Sequence, residues 1–112
     1  KILERTYNSP TTQKKIRTYN VPPYKIDEIS RIVYLESDII NLTSKEFDLL
    51  LLFAKNPLRT FSREQILKYI WNDEHFGSNR SVDDLVRRLR KKMKFLRIES
   101  IYGYGYRLLV NP

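Results

Sequence analysis

The period of the apolar positions changes near residue 43. From Lys15 to Leu42 they fall in four short runs, KIRTYNV, PYKIDEI, RIVYL and DIINL, rich in β-branched and aromatic residues. Pro22-Pro23, Ile29-Ser30 and Glu36-Ser37-Asp38 separate these runs. Runs of this kind between turn residues predict three or four short antiparallel strands in a meander. Their alternation is imperfect and leaves the registers open. From Thr43 onward the spacing is helical. Phe47, Leu50, Leu51 and Ala54 predict one buried stripe, opened by a capping box of Thr43 and Glu46 and closed at Asn56-Pro57. Ser62 and Gln65 repeat the box and open a second helix with Ile66, Leu67, Ile70 and Trp71 inward. Arg59 to Phe61, between the two, has room for only a bridging strand.

The third helical stretch, Arg80 to Lys94 (RSVDDLVRRLRKKMK), has the sharpest division of faces. Val82, Leu85, Val86, Leu89 and Met93 fall on one stripe, and Arg87, Arg88, Arg90, Lys91, Lys92 and Lys94 make the rest cationic. Asp83 lies four residues before Arg87, and Asp84 four before Arg88, a spacing that lets each carboxylate hold an arginine. An irregular polar loop, Asn72 to Asn79, leads into this helix. After it, Arg97 to Ile101 and Gly105 to Val110 read as strands around a Tyr102-Gly103-Tyr104 hairpin turn.

Composition narrows the function. The chain has 112 residues, 21 basic against 13 acidic, and a net charge of +8. Arg80 to Arg97 alone holds eight basic and two acidic residues, so most of the excess sits on one helix. A basic domain concentrates polyanions, either nucleic acid or an anionic membrane surface. The longest apolar run, Leu49 to Ala54, has six residues, far too few to span a bilayer. With no cysteine there is no disulfide or thiolate metal site, which fits a cytoplasmic protein. His75 is the only histidine, with Asp73 and Glu74 beside it, so no metal site is expected. Gly103-Tyr104-Gly105 lacks the further glycine and the following helix of a nucleotide loop. No nucleophile–base arrangement is found, and the expectation is a protein without catalytic residues or cofactor.

Two helices, a loop, a basic helix and a hairpin form the α+β plan of a winged helix-turn-helix, in which the third helix enters the major groove of DNA. Arginine forks match phosphate oxygens and the O6/N7 edge of guanine, giving the cationic face a use that plain solvation would not.

Four motifs sharpen this plan: LTSKEFDLL (Leu42–Leu50), RTFSREQIL (Arg59–Leu67), NRSVDDLVRRLRKKM (Asn79–Met93) and IYGYGYRL (Ile101–Leu108). In content, order and spacing they resemble the OmpR/PhoB-type effector domain of bacterial two-component response regulators. The resemblance implies a recognition helix in which Ser81, Arg87, Arg88, Arg90 and Lys91 touch DNA, with Arg88 the chief base reader and Arg80 beside the phosphates. It implies backbone contacts from Arg63 and Trp71 in the second helix and from Ser100 and Tyr106 in the wing. Tyr102 takes the wing-tip position where many relatives carry an arginine. The loop Asn72, Asp73, Glu74, His75 and Phe76 corresponds to a segment that faces RNA polymerase in activators. Residues 1–14 would be the end of a receiver domain's last helix and a linker. Residues 15–112 would be the DNA-binding domain: a sheet over 15–42, three helices over 43–94 and a wing over 95–112. The implied partners are double-stranded DNA bearing a tandem repeat, a second copy on that DNA, an upstream receiver domain and its sensor kinase; an isolated domain can be monomeric.

Trp71 is expected to be a core residue with one exposed edge rather than a pure DNA contact, though an indole N–H can reach a phosphate while its ring packs. For Tyr106, cross-strand packing and a contact to bases or sugars weigh equally. Besides Tyr102, two further departures from the family stand out: Leu85, at a commonly polar position on the DNA-ward side of the helix, and Asp84, at a commonly apolar one. Two rival functions stay open, an RNA-binding module and a winged helix that binds only protein. The scattered tyrosines and the helical cationic face speak against an RNA platform, which usually lies on a sheet.

Overall fold

The computed structural model describes residues 17–72 and 78–110. Four strands open it, β1 (Thr18–Val21), β2 (Tyr24–Asp27), β3 (Ile32–Leu35) and β4 (Asp38–Ile40), as an antiparallel meander in that order. The register opposes Tyr19 to Ile26 and Ile26 to Val33, so Ile26 and Val33 point into the core together with Val21 and Tyr24. Apart from the exposed Ile39, the outer residues of these strands are polar or half-buried, as expected for a sheet with one wet face. Arg31, at φ 57° in the β2–β3 turn, fastens this sheet to the next element. Its guanidinium donates to the Ser44 carbonyl (3.1 Å) and to Asp48 (3.0 Å), and lies 4.5 Å from the centre of the Phe47 ring.

Helix α1 (Ser44–Lys55) begins at Thr43, whose hydroxyl accepts from the Glu46 backbone while the Glu46 carboxylate accepts from Thr43. Its buried surface differs from the four-residue stripe expected: Leu49, Leu52 and Phe53 are buried as well as Phe47, Leu50 and Leu51, and Ala54 is only half-buried at the edge of the core. The reason is position, since α1 has the sheet on one side and both other helices on the other. Strand β5 (Thr60–Ser62) leads into α2 (Arg63–Trp71), capped by Ser62 and Gln65. Helix α3 (Asn79–Lys92) starts one residue earlier and ends two earlier than the sequence pattern suggested. Its cap is Ser78, which the pattern did not reveal because the third helical residue is Ser81, not the usual Glu or Gln.

Strands β6 (Arg97–Ile101) and β7 (Gly105–Leu109) form the hairpin, and β5 joins them in a three-stranded sheet ordered β5-β7-β6. The bridging strand is therefore part of the wing's sheet. Gly105 makes this possible. A Cβ there would lie 1.9 Å from the Phe61 carbonyl oxygen, so only glycine admits β5 at that distance. Phe61 in turn meets Phe53 edge-on at 5.9 Å, which locks the wing's sheet onto α1.

Candidate nucleic-acid interface

Helix α3 owes its orientation to its apolar stripe. Val82, Leu85, Val86, Leu89 and the C-cap residue Met93 are completely buried. Burying five such side chains stabilises the docked helix by about 1.5–3 kcal/mol each, and it turns Arg87, Arg88 and Lys91 outward, where all are exposed. Leu85 belongs to this stripe. It faces the core rather than the DNA-ward side, so the leucine presents nothing to a surface contact.

Asp84 organises the exposed arginines. Its carboxylate accepts from Arg87 at 2.5 Å and lies 3.5 Å from Arg88. The Arg87 hydrogen bond is the main reason that the Asp84 carboxyl titrates below the usual range. Both pairs are solvated and worth little in stability. Their effect is to limit where the guanidinium groups point. Arg80 is exposed at the N-terminal end of α3, and Ser81, half-buried beside it, accepts from the Ser78 backbone at 3.1 Å.

Asp83 does not hold Arg87 as its spacing suggested. Its Oδ1 accepts from Arg63 Nε of α2 (2.7 Å) and from the Tyr106 hydroxyl of β7 (2.6 Å). Asp83, in the second turn of α3, lies on the flank that packs against α2 and the wing, and its carboxylate meets Arg63 and Tyr106 there. Burial tends to raise the Asp83 pKa, but the Tyr106 and Arg63 bonds outweigh it and the net shift is downward. Burial, then the bond to Asp83, pushes the Tyr106 hydroxyl up.

Several expected contact residues are thus turned inward. Tyr106 is 6% exposed with its hydroxyl committed to Asp83, and Trp71 is 8% exposed with the Lys45 ammonium 5.3 Å from its ring centre. Both rings are packed in the core. Arg90 crosses to β6, donating to the Ile98 carbonyl (2.6 Å) and to Ser100 Oγ (3.1 Å). Lys92 pairs with the fully buried Glu46 at 2.7 Å and ties the last turn of α3 to the first turn of α1. Burial raises the Glu46 pKa, yet Lys92 and the Thr43 backbone bond hold it below the ordinary value. No sequence signal announced this pair, because its members are 46 positions apart.

At the wing tip Tyr102 is wholly exposed and Tyr104 half so, with Gly103 at φ 73° between them. Ser100 is exposed on β6. Asn72, exposed, is the last described residue before the loop; Asp73, Glu74, His75 and Phe76 lie outside the described residues, as do residues 1–14. Among the described residues no cluster of three potential metal ligands occurs.

The outward face of α3 is thus a row of exposed cations on a buried stripe, and the wing tip carries exposed tyrosines. Residues 36–108 match the family described as "Transcriptional regulatory protein, C terminal". The chain belongs to this family. Its OmpR/PhoB-type winged helix is shared with solved relatives. The transcriptional regulatory protein CssR of Bacillus subtilis is 50% identical over 111 residues, covering 97% of this chain and 48% of CssR. The crystal structure of the CssR DNA-binding domain superposes with a TM-score of 0.73 at 56% identity, covering 77% of this chain and 99% of that one. The RstA DNA-binding domain of Klebsiella pneumoniae, solved in complex with the RstA box, superposes at 0.75 with 28% identity, covering 83% and 97%. The chain spans about half the length of the curated relatives it matches.

Proposed function

We propose that this OmpR/PhoB-type domain binds double-stranded DNA sequence-specifically and regulates transcription as the effector part of a response regulator. The observation that carries the reading is the exposure of Arg87, Arg88 and Lys91 on a helix whose opposite face is wholly buried. A helix so mounted fits the major groove, where an arginine fork discriminates guanine by O6 and N7. Arg88 is the proposed base reader with Ser81. Arg80, Arg87 and Lys91 are proposed to meet phosphates. Tyr102 and Ser100 would approach the backbone or minor groove at the wing. Arg63, Trp71, Arg90 and Tyr106 are proposed to support this surface more than to touch DNA.

The DNA-bound domain of RstA and the regulatory names of the relatives support the reading. By the same analogy the operator is a tandem repeat bound by two copies, residues 1–14 join the domain to a receiver served by a sensor kinase, and the segment from Asn72 to Phe76 faces RNA polymerase. The proposed setting is the cytoplasm, and the proposed role is binding, without catalysis or cofactor. The test is selection from a random duplex library at about 150 mM salt, followed by sequencing. A recovered motif, repeated at about one helical turn, is the expected result. Binding without enrichment would contradict sequence-specific recognition. Binding of RNA, or of neither nucleic acid, would favour the rival readings.

A further inference from the structure

The Asp83 carboxylate joins three elements at one oxygen, since Arg63 of α2 and Tyr106 of β7 both donate to Oδ1. Two turns further along α3, Arg90 reaches the other wing strand through the Ile98 carbonyl and Ser100. Two attachment points seven residues apart on a helix lie about 10 Å apart. The β5–β7 ladder and the Phe61–Phe53 contact join the wing's sheet to α1 and α2, and these two attachments add direct, directional ties to α3. The Tyr106 ring lies between them in function, with the Arg63 and Arg90 guanidinium carbons at 5.7 and 5.6 Å from its centre. Apolar packing beneath the wing is non-directional and tolerates small slides, whereas charge-assisted hydrogen bonds specify direction and distance.

We propose that Asp83, Tyr106 and Arg90 are positioning residues that hold the wing at one angle to α3, so that helix and wing engage a duplex in a single register. This inference rests on the DNA-binding reading for its functional consequence, but its geometric part stands alone. It explains why Arg63 and Arg90, on a surface otherwise committed to exposed cations, turn inward onto a carboxylate, a carbonyl and a ring.

The test uses the cysteine-free chain, which allows paired spin labels at two introduced cysteines. Lys91→Cys on α3 and Tyr102→Cys at the wing tip report the helix-to-wing distance in the free protein. The unsubstituted network should give one narrow distance distribution. Tyr106→Phe keeps the ring and deletes only the hydroxyl; Arg90→Gln cuts the second attachment. Each should broaden or shift the distribution while leaving the helical circular dichroism unchanged. If Tyr106→Phe fails to fold, Arg90→Gln decides alone. On a selected duplex, the unlabelled variants should bind about tenfold more weakly and lose wing-side hydroxyl-radical protection, while protection over the centre of α3 persists. Unchanged distance distributions would overturn the proposal. So would weaker binding with an unchanged distribution, which would make these side chains direct DNA contacts. If the parent chain binds no duplex, the functional reading fails, and the distances still decide whether the network positions the wing.

Discussion

Single residues decide how close the pieces of this fold come. Gly105 is the clearest case, because a methyl group there would overlap the backbone of Phe61 and Ser62, which cannot retreat without breaking the β5–β7 ladder. Gly105→Ala should therefore destabilise the domain by about 1–3 kcal/mol or more, read as a lower urea midpoint; an unchanged midpoint would show that β5 can move. Glu46 and Asp83 have folded pKa values below their ordinary ones. Their stabilisation is present above the unfolded values, about 4.3 and 3.9, and is lost as pH falls through the folded values. The urea midpoint should hold from neutral pH to about 5 and fall below about 4. Asp83→Asn should make that fall shallower, and an equally steep fall in the variant would remove Asp83 from the acid response. None of the Glu46 and Asp83 tertiary bonds could be read from spacing, since the partners lie 46, 20 and 23 positions away.

At the scale of elements, much was legible and the misses have physical causes. Both Glu/Gln capping boxes, the buried stripe of α3 and the hairpin turn follow from local periodicity and turn chemistry. The width of the buried face of α1 does not, because it depends on what packs behind the helix. The start of α3 was shifted because its box uses Ser81 as the third residue. Ser78 has added weight in a helix whose first turn contains no acidic residue to offset the dipole. Ser78→Ala should cost about 1 kcal/mol and increase amide exchange in the first turn of α3, with little change in α1. Uniform loss of protection across the domain would mean that α3 and α1 unfold as one unit.

Across the whole molecule, the charge pattern was the most informative feature of the sequence and also the least specific about individual roles. Its concentration on α3 was evident from Arg80 to Arg97. Its division into outward cations (Arg87, Arg88, Lys91) and cations tied to other elements (Arg63, Arg90, Lys92) required the packed structure. The tied group stabilises the relation of α3 to α1, α2 and the wing; the outward group is left to meet a polyanion. The central claim is that this outward group reads sequence and does more than attract charge. Its most direct test is the affinity of Arg88→Ala for the selected duplex and for a scrambled one, at fixed salt. A loss of about 1–3 kcal/mol on the selected duplex with little change on the scrambled one is predicted. Equal losses on both would contradict the claim and reduce Arg88 to a phosphate contact.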